Sequence, residues 1–395
     1  MKKNWCLLAC LFALPLLADQ PENEDQETAA QFISKSAVVG AKKSSKNQKS
    51  QAAQPLPEEE TIKTQPIITP SVAPHVMDGS DTYVTLDFIW WQTFISGMEY
   101  ALTGVVDNGS FVPLGASTGK GHIQRPGFKF EPGIKVGVGV NFEHDGWDLY
   151  AEYTYLSSPS ESNSAAARAG VGATNNQAIY RNSGVNGSIG PLVNATCKWK
   201  QDFNVIDLEL GRDYFISRFL TLRPTTGFKT GWINEQATIS LIPTASVLDE
   251  SPSDDASNKI TSVVLNYRQN MWGLGIRTGL NAGWHVTKNW SFYNDFAFTA
   301  FWADFKIHQK QHLTETVFGA MNNLLTGETI QSVIPVFEAG LGLSYITWFE
   351  KSRYRFEFRA GWEEQIWLGF NHFMQIGGTG NLSVQGLTVK TMLNF

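Results

Sequence analysis

The sequence predicts an all-β protein, a transmembrane antiparallel β-barrel of about 10 strands (range ~10–14) with short periplasmic turns and long extracellular loops. Three observations predict it. Apolar and polar residues alternate from Tyr83 to Phe395, the connections alternate between short and long, and tryptophans cluster near the ends of the apolar rows. Side chains in a strand point alternately to opposite faces, so each alternating run has one apolar face and one polar face. In a soluble sandwich the apolar face is internal, whereas in a membrane barrel it meets lipid and the polar face lines the lumen. Only a membrane barrel has reason to obey the loop alternation.

The chain begins with Lys2 and Lys3, an apolar run from Trp5 to Leu17, and Ala18 before Asp19. That order reads as a secretory signal peptide over residues 1–18. Leu7-Leu8-Ala9-Cys10 has the form of a lipobox, but the apolar run continues past Cys10, as in an ordinary signal core. Residues 19–81 are rich in Gln, Glu, Lys, Ser and Pro. Such a composition buries too little apolar surface to order itself, which predicts a disordered periplasmic leader. A segment that plugs the lumen or touches peptidoglycan is the functional alternative. Residues 82–395 form the predicted barrel.

Within it, Val84, Leu86, Phe88 and Trp90 share a face, and a register shift near Trp91 leads into Met98, Tyr100 and Leu102, suggesting one long first strand with a bulge. Ile134 to Phe142 and Trp147 to Tyr155 form a hairpin across Glu143–Gly146. Further rows run through Ile206–Leu210, Leu220–Trp232, Trp272–Trp284, Trp290–Trp302, Phe337–Tyr345, Tyr354–Trp362 and Leu387–Phe395. Short connections fall at Glu143–Gly146, Gly211–Arg218, His285–Asn289 and Thr347–Ser352. Long ones fall at about 105–130, 157–197, 236–260, 307–332 and 367–380, where a further strand pair could lie within 307–332. Ten strands put both termini in the periplasm.

The 13 Trp and 25 Phe coexist with a slightly negative mean hydropathy, so the aromatics are spread by alternation rather than gathered in blocks. No run beyond the signal approaches the ~20 apolar residues of a membrane helix. The net charge of -6, without a dominant basic cluster, argues against nucleic acid as a partner. Of three cysteines, only Cys197 follows the signal, so the mature chain holds no internal disulfide; the thiol either cross-links to a partner or is incidental.

Metal ligation by His308 and His312 would need that stretch to be helical. The glycines at 133, 137 and 139 and at 273, 275 and 279 have strand spacing, unlike a phosphate loop. No catalytic residues, metal site or cofactor is read from the chain, which predicts a protein that is not an enzyme. The polar rows supply lumen and selectivity candidates: Lys135, Glu152, Asp207, Glu209, Arg223, Lys229, Arg277, Arg355, Glu357 and Arg359, with Asp148 and Glu363 beside them. Trp147, Trp232, Trp272, Trp284, Trp290, Trp302 and Trp362 are the predicted membrane girdle, and Phe395 a terminal assembly signal read by the barrel assembly machinery.

Asp87–Trp91 followed by Gly97–Leu102, His144-Asp145-Gly146-Trp147-Asp148-Leu149-Tyr150-Ala151-Glu152-Tyr153, and Asp202–Arg212 with Leu222-Arg223-Pro224 give the chain a family resemblance. Over roughly residues 82–395 it resembles the Legionella-type major outer membrane protein family, pore-forming proteins also found in environmental chlamydiae. The resemblance implies a monomeric or homo-oligomeric barrel in the bacterial outer membrane with porin-like activity. The expectation is therefore a pore for small hydrophilic solutes or ions, embedded in outer-membrane lipid. Paired lumen charges leave open a closed barrel that serves as adhesin or envelope protein through its loops.

Overall fold

The structure, a computed structural model, describes residues 76, 81–106, 122–142, 146–165, 174–178, 192–243, 260–315, 319–373 and 380–395. The segment read as a signal peptide, and the leader apart from Val76 and Asp81, lie outside the described residues, as does the alternative role given to that leader.

Ten long strands make one antiparallel sheet closed on itself. They are β1 (Thr82–Ile95), β4 (Phe130–Asn141), β5 (Trp147–Ala165), β7 (Leu192–Arg212), β9 (Leu220–Pro243), β10 (Ile260–His285), β11 (Trp290–Glu315), β12 (Gly319–Phe349), β13 (Tyr354–Asn371) and β14 (Gly380–Asn394). Closure comes from β1, which pairs with β4 on one side and with β14 on the other. Thr82 N donates to Phe395 O at 3.2 Å and Phe395 N to Thr82 O at 2.9 Å, so the last residue seals the seam. A closed sheet leaves no edge strand to satisfy elsewhere. Short strands β2 (Ala101–Val106), β3 (His122–Gln124), β6 (Thr174–Ala178) and β8 (Tyr214–Phe215) are attached to this barrel.

Three expectations are corrected. The first strand does not continue through a bulge: it ends at Ile95, Gly97 takes a positive φ of 84°, and Ala101–Val106 is a separate strand paired with β3 and β6. The stretch 307–332 is not a loop, because β11 and β12 pair through it down to Glu315 and Gly319. The loop at 157–197 is likewise shortened by strand at both ends, and that at 236–260 at its start, where β9 runs on to Pro243.

On the exterior, Val84, Leu86, Phe88, Trp90, Leu274, Ile276, Phe292 and Phe296 are among the exposed apolar residues of a continuous belt. From Trp272 to Trp284 the strand covers about 40 Å at ~3.3 Å per residue, or roughly 30 Å of height at a tilt of ~40°, close to a hydrocarbon core. The strands do not stop at the upper edge of this belt. Beyond Trp232, Trp272 and Trp302 the outward rows turn polar, as in Asn234, Gln236, Thr238, Asn270, Arg268, Lys306 and His308. The inward rows turn apolar at the same level, with Ile233, Ala237, Ile239, Leu265, Met271, Phe301, Phe305 and Trp367 buried in one cluster. The barrel thus carries a dry core in its outer part and polar residues inside the belt.

Inward glycines seat aromatic rings. A side chain at Gly139 would meet the ring of Tyr83, one at Gly137 the ring of Tyr150, and one at Gly361 the hydroxyl of Tyr293. Tyr83 stacks on Tyr150 with centroids 5.6 Å apart. Gly139→Val is expected to destabilise the refolded barrel by about 1–3 kcal/mol through overpacking, read as a lowered urea midpoint. Adding Tyr83→Ala should return most of that loss; a double variant no better than the single would place the clash elsewhere.

Candidate functional site: the charged lumen

Alternation brings the polar rows of all ten long strands into one space at the level of the apolar belt. The resulting cavity, of about 240 Å³, is lined by side chains that include Lys135, Glu152, Asp207, Glu209, Arg223, Arg277, Arg355, Glu357 and Arg359. Every predicted lumen candidate lies at its wall except Lys229, which is fully buried just behind it between Asp207 and Glu338. The structure adds Asp87, Asp295, Glu338 and Lys390. All four stand at alternate positions of their strands and were open to the same reading, but each is an isolated charge among apolar or neutral neighbours.

The charges are joined across the lumen. Arg223 donates to Asp148 and, at 3.3 Å, to Glu209, and also reaches Asn281 at 2.8 Å. Arg277 bonds Glu209 on one side and Glu338 on the other, the latter at 2.9 Å. Lys229 lies 2.7 Å from Asp207 and 3.0 Å from Glu338, tying β9 to β7 and, across the interior, to β12. Opposite, Lys135 bridges Glu363 at 2.6 Å and Glu152 at 3.4 Å, while Lys390 meets Glu152 at 3.0 Å and the Tyr150 hydroxyl at 2.8 Å. Glu357 accepts from Arg355 at 2.8 Å, Arg359 at 2.5 Å and Ser344 at 2.8 Å. Eleven carboxylates and six basic side chains line the cavity, so the wall carries an excess of negative charge.

Above this network the lumen is filled. Trp367 packs on Phe203, Phe301 and Phe370 with centroids 5.9, 5.1 and 6.4 Å away. The chain leaving β13 folds inward: Gln269 donates to Phe370 O at 3.0 Å and accepts from His372 N at 3.0 Å, and Asn371 donates to Ser96 O at 2.9 Å. Glu235 sits beneath, fully buried, accepting from Gln201 at 2.9 Å and from Gln269 at 3.4 Å. Sequence reading missed this layer because its inward residues are apolar, and part of it, at Ala237, Ile239, Trp367 and Phe370, sits in stretches expected to be loops. Cys197 is buried within the same cluster.

The tryptophans named above occupy the exterior, where Trp232, Trp272, Trp284, Trp290, Trp302 and Trp362 are exposed and Trp147 is half-buried beside Arg212. Trp90 joins them. Trp232, Trp272, Trp302 and Trp362 lie within their strands rather than near the ends, because the strands run on past the belt. His308 and His312 are in strand rather than helix, so four residues separate them by about 13 Å along one face. That is too far for both to bind one ion, and among the described residues no group of metal-ligating side chains converges.

A protein-family model described as the Legionella pneumophila major outer membrane protein precursor matches residues 77–395. The chain belongs to this family. It is a β-barrel protein of the bacterial outer membrane, and the apolar belt faces lipid. No curated protein matches this chain. Among solved structures it is similar to the outer membrane protease OmpT of Escherichia coli, at 10% identity and TM-score 0.41, over 82% of this chain and 100% of that one. It is also similar to the Pseudomonas putida toluene transporter TodX, at 9% identity and TM-score 0.27, over 81% and 91% of the two chains. A Pseudomonas aeruginosa FadL homologue matches at 8% identity and TM-score 0.21, over 80% and 89%.

Removing one partner of a buried ion pair strands the other, at a cost of about 3–5 kcal/mol. Lys229→Met should therefore lower stability by that amount in urea unfolding, because Asp207 and Glu338 lose their shared cation. Lys229→Met with Asp207→Leu should recover part of it, and equal stability of the single variant and wild type would remove Lys229 from the network.

Proposed function

We propose that this outer-membrane protein is a narrow, gated pore that passes small hydrophilic solutes and ions, with no catalytic role. The observation that carries the reading is the cavity of about 240 Å³ at the level of the lipid belt, walled by charge rather than by apolar packing. In a water-filled passage such side chains set ion preference through their local field, and the excess of carboxylates favours cations. The apolar layer around Trp367 is the gate, because hydrophobic constrictions close a pore by excluding water. Several polar atoms in and around it, Trp367 Nε1, Trp199 Nε1, Gln311 Nε2 and Gln365 Oε1, find no hydrogen-bond partner among the described residues. Unpaired buried groups cost ~1–3 kcal/mol each, which biases the layer toward a hydrated, open arrangement. In the same reading the exterior tryptophans anchor the barrel at the two interfaces and Phe395 presents the end of β14 to the assembly machinery.

A second reading, a closed barrel that acts as adhesin or envelope protein through its outer face, is favoured by one observation. The apolar layer fills the lumen in the described conformation. Single-channel recording on the full mature chain in a planar bilayer separates the two. A pore gives small ohmic steps; a silent, folded barrel leaves the second reading. Gln269→Ala, which frees the segment at Phe370–His372, should raise the fraction of time spent open, and unaltered gating would remove that segment from the gate. A unit charge acts on an ion at ~4 Å with about 1 kcal/mol in water. Arg277→Gln or Arg355→Gln should then shift the permeability ratio toward cations by up to about fivefold, and unchanged reversal potentials in both would refute the lumen assignment.

A further inference from the structure

On the outside of β10 and β11, above the outer tryptophans, basic residues recur at every second position of one row: Lys306, His308, Lys310 and His312, all exposed. The neighbouring strand adds Arg268, also exposed, whose backbone is paired with His308. Side chains directly opposite on adjacent strands share a face. Lys306 and Lys310 are thus about 13 Å apart along the strand, with Arg268 between them on the next strand at ~5 Å lateral spacing. Asp304, at the lower end, is the one acid of the row, and it takes a hydrogen bond from Gln331 at 3.4 Å.

Other lysines at this height are neutralised locally. Lys198 is 3.2 Å from Glu161, and Lys200 is 3.0 Å from Asp202. Among the described residues Arg268, Lys306 and Lys310 have no such counter-ion, and like charges on facing strands repel. Three exposed cations with no carboxylate paired to them at a membrane boundary are free to meet an anion from outside the chain.

Position identifies that anion. Lys306 and Arg268 each stand four residues beyond a belt tryptophan, Trp302 and Trp272, or about 10 Å above it at a strand tilt of ~40°. That is headgroup depth, and lysine and arginine stems can lie along apolar surface while their charges stay in the polar layer. The cations are too widely spaced to converge on one phosphate ion. They suit a headgroup that carries phosphates at separate points of a sugar.

We propose that Arg268, Lys306 and Lys310 form a docking surface for the phosphorylated sugar headgroup of an outer-leaflet glycolipid. The lipid lies against the belt below with its acyl chains, and its phosphates meet the three cations.

The test uses the full mature chain in detergent, titrated with micellar bisphosphorylated lipid A and with the same lipid enzymatically dephosphorylated. Binding is read from quenching of the exterior tryptophans and from the thermal midpoint. Wild type should bind the phosphorylated lipid and discriminate against the dephosphorylated one. Arg268→Gln with Lys306→Gln and Lys310→Gln should weaken binding roughly a hundredfold, given the contribution of each basic group near an anionic surface. Lys198→Gln with Lys200→Gln should leave it unchanged. If the triple variant does not fold, Lys306→Gln alone should weaken binding about fivefold. Equal binding of the two lipids, unaltered binding by the folded variants, or displacement by soluble inorganic pyrophosphate would each overturn the proposal, the last by making the surface a site for a free anion.

Discussion

Closing a sheet on ten strands gives an interior little wider than that of an eight-stranded barrel, which side chains just fill. Every group that points inward must then be matched by another that also points inward, and in this protein the match is electrostatic at the level of the lipid belt. Lys229 and Arg277 share Glu338, Arg277 and Arg223 share Glu209, and Lys135 and Lys390 share Glu152. Few of these pairs join adjacent positions on hydrogen-bonded strands. They span the lumen, so they hold the cross-section of the barrel as well as neutralising its charge.

Much of this was legible in the sequence, and the reason is the period of two. Once a row such as Val136–Val140 is assigned to the outside, the positions between it must point inward, and the lumen charges follow without any knowledge of their partners. What could not be read was which charges meet. The register that sets Lys135 against Glu363, from strands not adjacent in the sheet, depends on closure through β1 and β14. The inward glycines show the same limit: alternation says that Gly137 and Gly139 face the lumen, but only the packed structure says that Tyr150 and Tyr83 lie over them.

The outer part of the barrel was the least legible. Its strands are as regular as those below, yet their outward residues are polar and their inward ones apolar, the pattern of an ordinary soluble β-structure. At Trp232 the exterior row of β9 passes from Phe228 to Asn234 and Gln236, while the interior row passes from Lys229 to Ile233 and Ala237. A reading that searches for apolar exteriors ends the strand there and assigns the remainder to a loop. The same inversion explains why Trp232, Trp272 and Trp302 lie within strands.

The inversion also bears on where a gate can be placed. If the apolar layer around Trp367 lay at the height of the lipid belt, those segments would be apolar on both faces. Ten such stretches would be hard to keep from collapsing together during passage through the periplasm, because long unbroken apolar runs behave as membrane segments or aggregation sites. Setting the apolar interior where the exterior is polar, and the charged interior where the exterior is apolar, keeps most of each segment amphipathic and confines doubly apolar stretches to short crossings such as Phe88–Trp91 and Ala300–Ala303. The dry layer must therefore sit beyond the bilayer on the outer side, where the segment at Phe370–Phe373 can reach it from the end of β13. Export of the unfolded chain and closure of the folded barrel are thus satisfied by one pattern read in two phases.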